Sequence, residues 1–165
     1  MLVLGIDPGT QLIGFGLIRS ETDRFVSVES GRLEVRKELL FPDRLNCIYH
    51  EILDLVNRMR PDVTAVEEVY VTTNAKTTLR LGHARGVILS ALVEKKIPIA
   101  EYAPREIKQA VVGNGGAAKI QVQWMVRQML CLGSAELSED ESDALAVALC
   151  HGLRALHPVS KRMRP

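Results

Sequence analysis

Apolar residues in the first part of the chain form short runs that are separated by polar turns, a pattern typical of β-strands. The run from Leu2 to Asp7 ends at Pro8-Gly9-Thr10, which has the composition of a turn. Residues 14–19 and 25–35 predict two more strands with turn-forming polar residues between them. Because the connections are short, the three strands are predicted to form an antiparallel meander.

Beyond this meander the apolar residues recur mainly at helical spacing, with two further strands among the helices. Residues 63–69 predict a fourth strand and residues 97–102 a fifth. Helices are predicted from Pro42 to Pro61, over 74–96, from Pro104 to about residue 112, over 117–132 and over 138–156. This order predicts an α/β fold with a mixed five-stranded sheet that is flanked by helices. Trp124, at helical spacing with neighbouring apolar residues, is expected to pack against the core rather than to contact a ligand.

Length and composition indicate a single ordinary domain. The chain has 165 residues, of which 47% are apolar and 25% charged, a balance that argues against disorder and fibrous repeats. No apolar stretch approaches the roughly 18 residues that a membrane span needs. Three widely spaced cysteines fit a reducing cytoplasm, where we expect the protein to act. We expect a domain over residues 1–158 and a disordered basic tail over 159–165.

The near-zero net charge of +1 hides a strong segregation of charge along the chain. Residues 1–73 carry a net charge of −4, residues 74–130 carry +6, and residues 131–160 carry −4. A basic middle with acidic ends predicts a surface for a polyanion beside a metal site. The alternative, that helix surfaces simply differ in charge, stays open on this feature alone.

Three strongly apolar segments each deliver carboxylates at an end or an edge. Asp7 ends the first strand, and Glu67-Glu68 ends the fourth, where side-chain alternation lets only one of the two join Asp7. The third group lies in the segment 138–143. A capping box from Ser138 to Glu141 accounts for part of it, but Asp143 lies inside the helix and shares one side with Asp140.

Carboxylates on separate elements, without zinc-like histidine or cysteine spacing, favour Mg²⁺ or Mn²⁺. Such a site can hold two metals about 3.5–4 Å apart and support in-line attack on phosphorus. No Walker-type loop and no convincing Ser/His/Asp arrangement is present in the sequence. The residues therefore predict metal-dependent phosphoryl transfer or hydrolysis.

Five sequence motifs, in order and across residues 1–158, resemble the signatures of the RuvC family of bacterial Holliday-junction resolvases. The motifs are Gly5-Ile6-Asp7-Pro8-Gly9-Thr10, Ala65-Val66-Glu67-Glu68-Val69-Tyr70, Leu81-Gly82-His83-Ala84-Arg85-Gly86, Ile107-Lys108-Gln109-Ala110-Val111-Val112-Gly113 and Asp140-Glu141-Ser142-Asp143-Ala144-Leu145-Ala146. The resemblance implies a ribonuclease-H-like fold and a homodimeric endonuclease that makes paired symmetric nicks in four-way DNA junctions. It also implies nicks with 5′-phosphate and 3′-hydroxyl ends.

The same resemblance implies the residues of the site. Asp7, Glu67, Asp140 and Asp143 match the catalytic acids that bind two Mg²⁺ ions per active site, with Mn²⁺ as an alternative metal. Asp7 is expected to bridge the two ions, and Glu67 is selected over Glu68 by the spacing of the motif. Asp140 is the position at which relatives can carry a different metal-binding side chain.

For DNA binding, the resemblance points to Lys108 and Lys119, which flank a glycine-rich loop in the basic segment. Arg85 and Lys76, in the same segment, are also expected to contact DNA. Tyr70 matches an aromatic residue of the family and is predicted to stack on an unpaired base, although a core position for it stays open.

The expected partners are a second copy of the chain, through the helix 74–96, and the RuvA and RuvB branch-migration proteins. Three other interpretations are weighed against the resolvase. They are an ATP-binding module related to actin and hexokinase, a noncatalytic junction-binding protein and a ribonuclease-H-type nuclease on RNA–DNA hybrids. An ATP-binding module of that kind needs two lobes around the nucleotide, whereas this chain has one Asp-Pro-Gly motif and no length for a second lobe.

Overall fold

The computed structural model describes residues 1–22, 24–69, 74–133 and 136–156, and within them five strands form one sheet. The strands are β1 (Leu2–Asp7), β2 (Leu12–Ser20), β3 (Phe25–Glu34), β4 (Val63–Glu67) and β5 (Ile99–Tyr102). The first three pair antiparallel, whereas β4 is parallel to β1 and β5 is parallel to β4. The order across the sheet is β3-β2-β1-β4-β5. The tail predicted over 159–165 lies outside the described residues.

Helices cover both faces of this sheet. They are α1 (Phe41–Met59), α2 (Ala75–Glu94), α3 (Pro104–Val112), α4 (Lys119–Met129) and α5 (Glu139–Leu156). The predicted mixed five-stranded sheet, with three antiparallel strands first and helices around it, is confirmed. Element ends differ from the predicted ones by a few residues, and β4 ends at Glu67 rather than at residue 69.

The sheet separates two apolar cores, because β1 is buried on both faces. Val3 belongs to the core that α3, α4 and α5 cover, whereas Leu4 and Ile6 belong to the core beneath α1 and α2. Burial of apolar area on both sides fixes β1 in the centre of the domain. Asp7, at the end of β1, is therefore held by the most constrained strand of the sheet.

Glycines let α5 lie directly on β1 and β2. A Cβ atom on Gly5 would stand 2.0 Å from the carbonyl oxygen of Ala144, and one on Gly14 would stand 2.2 Å from that of Asp140. Both distances are far below van der Waals contact, so larger residues would push the helix away from the sheet. This close packing brings the N-terminal turns of α5 beside the end of β1.

Helix α2 buries one apolar face and exposes a second. Its buried residues are Ala84, Ile88, Ala91 and Leu92. Leu79 and Val93 are exposed, and within the described residues no atom outside the helix's own backbone and the adjacent residues lies within 4 Å of the position of a Cβ at Gly82 or Gly86. In the part of the chain that the structure describes, the face on which the predicted dimer contact depends is thus exposed. Among the described helices, none has the length and apolar character that a membrane crossing requires.

Candidate active site

Asp7 and Glu67 meet at neighbouring strand ends. They are the last residues of β1 and β4, which run parallel in register with Ile6 opposite Val66. Parallel strands that end together place their last side chains at the same edge of the sheet. Here the two partly buried carboxyl groups are hydrogen-bonded to each other.

The start of α5 brings the other two predicted acids to this edge. The predicted capping box is present: the backbone N–H of Ser138 donates to Glu141 Oε2 at 3.0 Å, and that of Glu141 donates to Ser138 Oγ at 3.3 Å. Glu141 also accepts a hydrogen bond from Ser30 Oγ, at 3.1 Å. These contacts tie Glu141 to the cap, whereas Asp140 and Asp143 act electrostatically on Asp7.

The pKa values of the paired acids reflect burial and crowding of negative charge. Burial, followed by repulsion from Asp143 and Asp140, raises the pKa of Asp7 to about 7. Burial, followed by repulsion from Asp7 and Asp143, raises the pKa of Glu67 to about 8. The positive charge of Lys119 lowers the pKa of both carboxyl groups, but by less than burial and repulsion raise it. The protein without a bound cation therefore favours protonated carboxyl groups here.

Lys119 lies at the acids themselves. Its Nζ stands 2.8 Å from Asp143 Oδ2 and 3.1 Å from Glu139 Oε2. Partial burial opposes the charged ammonium, but the hydrogen bonds to Asp143 and Glu139 prevail and raise the pKa of Lys119. Glu139 is a residue of this site that sequence reasoning missed. The available signal was its spacing of four residues from Asp143, which places both on one side of α5.

A cavity of about 150 Å³ opens beside these groups. Glu67, Asp143, Lys119 and Lys108 supply its polar lining, and the apolar remainder comes from Pro104, Ile107, Val122 and Ala146. Lys108, predicted to contact DNA, thus lies on α3 next to the acidic groups. The arrangement combines converging carboxylates with two ammonium groups, which suits a substrate that carries a phosphate.

Arg85 and Lys76, which are also predicted to bind DNA, are not among the described residues that line this cavity. Arg85 donates from Nε to the carbonyl oxygen of Glu67 at 3.0 Å and pairs with Glu101, so it supports the end of β4. Lys76 is exposed in the first turn of α2. Tyr70 lies outside the described residues. The DNA contacts of these three residues stay predictions.

Trp124 contradicts the expectation that it packs against the core. Its relative exposure is 58%, and that of Ile120, one turn earlier on α4, is 70%. The helix buries Val122 and Val126 instead. Helical spacing indicates which residues share a face but not which of two apolar faces meets the core, and here the valine face does.

The donor chemistry of the site fits a divalent cation. Within the described residues, no three His, Cys, Asp or Glu side chains are close enough to form a ready-made metal cluster. Asp7, Glu67 and Asp143 nevertheless offer hard oxygen ligands in a region of crowded negative charge, and Asp143 already holds the Lys119 ammonium as a cation. A cation in this region would relieve the repulsion that raises the two pKa values.

Without divalent metal, the free energy of unfolding is expected to fall as the pH rises from about 4 to about 8. In the unfolded chain Asp7 and Glu67 lose their protons near their ordinary pKa values of 3.8 and 4.5, but the folded chain keeps them until about 7 and about 8. Between these limits the folded state binds more protons, so raising the pH favours unfolding. Denaturant titrations in chelator over this range measure the effect.

The matched control is the double variant Asp7→Asn/Glu67→Gln, which removes both titrations. Its unfolding free energy is expected to fall less over the same pH range than that of the wild type. Identical slopes for the two proteins would contradict the assignment of the raised pKa values to this pair.

Comparison with known proteins relates the chain to one family. The family model described as crossover junction endodeoxyribonuclease RuvC matches residues 3–151. A protein of that name from Syntrophomonas wolfei is 47% identical over 151 residues, which cover 92% of this chain and 88% of the relative. The solved RuvC of Thermus thermophilus is 33% identical with a TM-score of 0.85, and covers 94% of this chain and 95% of its own. The same protein in complex with a Holliday junction substrate gives 31% identity and a TM-score of 0.83 with the same coverage.

Proposed function

The chain belongs to the RuvC family of crossover junction endodeoxyribonucleases, and on this premise we propose how its residues resolve a four-way DNA junction. Its ribonuclease-H-like fold and its relatives make it a Holliday-junction-resolving endonuclease. The observation that carries the proposal for the site is the hydrogen-bonded pair Asp7–Glu67 under the electrostatic influence of Asp143.

Asp7, Glu67, Asp140 and Asp143 would hold two divalent ions, with Mg²⁺ as the proposed metal and Mn²⁺ as the alternative. When bound, such ions lower the pKa of an attacking water and stabilise the oxygen that leaves phosphorus. Asp7 would contribute to holding both ions, because it is hydrogen-bonded with Glu67 and is also subject to the charges of Asp140 and Asp143 on α5. Desolvation at the strand ends strengthens the attraction of these carboxylates for a cation.

The lysines are proposed to hold the scissile phosphate. Lys119 and Lys108 both line the cavity beside the acids, and either ammonium can donate to a non-bridging phosphate oxygen. Lys119 now pairs with Asp143 and Glu139, so engaging a phosphate requires exchange of these partners. The site thus supplies a positive charge at the reaction centre that is held in place before the substrate arrives.

Hydrolysis at this site is proposed to break the bond between phosphorus and the 3′ oxygen. The hydroxide of the water joins phosphorus, and the remaining proton reaches the 3′ oxygen. The products are a 5′-phosphate and a 3′-hydroxyl, which together form a nick that a ligase can seal. Lys108 and Lys119 keep the phosphate in place during the attack, which lowers the entropic part of the barrier.

A homodimer through α2 would supply two such sites. The exposed face with Leu79, Val93, Gly82 and Gly86 allows two helices to approach closely. A two-fold dimer matches the two-fold symmetry of an open four-way junction, so that two sites can meet two equivalent strands. RuvA and RuvB are proposed as partners on the family resemblance alone, and a junction as substrate agrees with the predicted cytoplasmic location.

Substrate choice separates this function from that of a hybrid nuclease. A mobile synthetic four-way junction, a linear DNA duplex and an RNA–DNA hybrid are incubated with the protein at equal concentration in Mg²⁺. We expect cleavage of the junction with little cleavage of either linear substrate. Preferential cleavage of the hybrid would contradict the proposal and favour a ribonuclease-H-type activity.

A further inference from the structure

Lys119 contacts two acidic residues of α5 that have different positions at the site. Its Nζ stands 2.8 Å from Asp143 Oδ2 and 3.1 Å from Glu139 Oε2. Asp143 lines the cavity together with Glu67, whereas Glu139 is not among the described residues that line it. The ammonium therefore connects a carboxylate inside the cavity with a carboxylate beside it.

Glu139 belongs neither to the core nor to the capping box of α5. Its side chain is 73% exposed, and it is Glu141 that exchanges hydrogen bonds with Ser138. Glu139 precedes Asp143 by four residues, so both side chains lie on the side of the helix that meets Lys119. An acidic residue in a first helical turn also stabilises the helix through its dipole, but that effect does not depend on a lysine.

The proposed function gives the Asp143 carboxylate a second cation to bind. A divalent ion at Asp143 and an ammonium on the same carboxylate repel each other, most strongly where water is partly excluded. Lys119 and the ion therefore compete for Asp143. When the ion binds, the ammonium moves into solvent unless another carboxylate holds it, and Glu139 is already in contact with it.

We propose that Glu139 is a positioning residue that draws Lys119 away from Asp143 when a divalent ion binds and keeps the ammonium beside the cavity. The inference rests on the proposed function, because it assumes that Asp143 binds the ion and that Lys119 meets the phosphate. In this role Glu139 touches neither the ion nor the DNA. The charge of Glu139 therefore matters only while position 119 carries an ammonium.

The first test measures how tightly the DNA-free protein binds Mn²⁺. The electron paramagnetic resonance signal of free Mn²⁺ is followed at low ionic strength, where exposed charges are least screened. Lys119→Met is expected to bind Mn²⁺ about 5-fold or more tightly than the wild type, because it removes the competing ammonium. Lys108→Met is the matched control, since Lys108 lines the same cavity but the contact with Asp143 belongs to Lys119. The effect of Lys108→Met is expected to stay within about twofold.

Glu139→Gln tests the positioning role itself. In the wild-type background it is expected to weaken Mn²⁺ binding by about 3- to 5-fold, at the upper end for an exposed charge pair. The reason is that Lys119 then keeps Asp143 as its acidic partner and competes more strongly with the ion. In the Lys119→Met background the same substitution is expected to change the affinity by less than about 1.5-fold, since no ammonium competes there.

Single-turnover cleavage of a four-way junction at saturating Mn²⁺ gives a second readout. Glu139→Gln is expected to lower the cleavage rate by about 3- to 10-fold, because Lys119 is held less closely at the phosphate. Binding of the junction in chelator is expected to remain at least as tight as that of the wild type. Glu139→Gln is expected to cause no further loss of rate in the Lys119→Met background.

The outcomes separate this inference from the proposed function. Equal weakening of Mn²⁺ binding by Glu139→Gln in both backgrounds, or equal effects of Lys119→Met and Lys108→Met, would overturn the inference and leave the proposed function intact. Mn²⁺ binding by Asp7→Asn that is as tight as that of the wild type would contradict both. Thermal melting verifies that each variant is folded, and Lys119→Gln replaces Lys119→Met if the latter does not fold.

Discussion

Asp7→Asn is expected to reduce junction cleavage by about 10³-fold or more, with binding of the junction in chelator retained. Asp7 is the last residue of the central strand and is hydrogen-bonded with Glu67. It is also repelled by the negative charges of Asp140 and Asp143 on α5. Asparagine keeps the size and one oxygen but removes the negative charge that a divalent ion needs. Cleavage of a labelled junction under single-turnover conditions, with anisotropy for binding, measures the two effects separately.

Asp54→Asn is the control, because it makes the same substitution at a position outside the active site. Asp54 is exposed on α1, on the other side of the sheet from α5, and its variant is expected to cleave like the wild type. Above about pH 7, where the Asp7 carboxyl group is ionised, Asp7→Asn is also expected to raise the melting temperature in chelator, because it removes one of the crowded buried charges. Full cleavage by the Asp7→Asn variant would contradict the assignment of the metal site.

The second large effect is expected at Glu67 and not at its neighbour. Glu67→Gln is expected to lower the rate of cleavage by about 10²- to 10³-fold, since its carboxylate faces Asp7 across the two parallel strand ends. Glu68→Gln is expected to stay within about twofold of the wild type, because Glu68 is exposed. Cleavage rates of the two variants are measured under the same single-turnover conditions. The comparison is matched, because both variants replace Glu by Gln at adjacent positions.

Backbone geometry explains why adjacent glutamates should differ so strongly. The backbone N–H of Glu68 donates to the carbonyl oxygen of Tyr102 at 2.9 Å, which continues the pairing of β4 with β5 for one more residue. Successive side chains on extended backbone point to opposite sides, so Glu68 faces away from Asp7. Equal losses in both variants would indicate that the pair acts as a unit and would contradict the selection of Glu67.

Much of the fold and the placement of the acids could be predicted because local patterns carry them. Asp7 and Glu67 each end an apolar run, and such runs become buried strands whose ends lie together in a parallel pair. The capping box identified the start of α5 and hence the side of the helix on which Asp140 and Asp143 lie. Both inferences depend on residues that are close in sequence.

The contacts that could not be predicted join residues that are distant in sequence. The sequence predicts that Lys119 contacts DNA. Its ion pairs with Asp143 and Glu139 could not be predicted, because they form only when α4 packs against α5. The exposure of Trp124 depends on which face of α4 meets the core, a choice that helical periodicity leaves open. In the same way, the support that Arg85 gives to the end of β4 required the packing of α2 beside β5.

We propose that the carboxylates at the ends of β1 and β4 and at the start of α5 cut a four-way junction with the help of divalent metal. The most direct test maps the cleavage sites on all four strands of a mobile synthetic junction, with Mg²⁺, with Mn²⁺ and with chelator. We expect nicks at symmetric positions in two opposing strands that ligase can seal, and no nicks in chelator. Cleavage that persists in chelator, or binding of the junction without cleavage in either metal, would contradict this proposal.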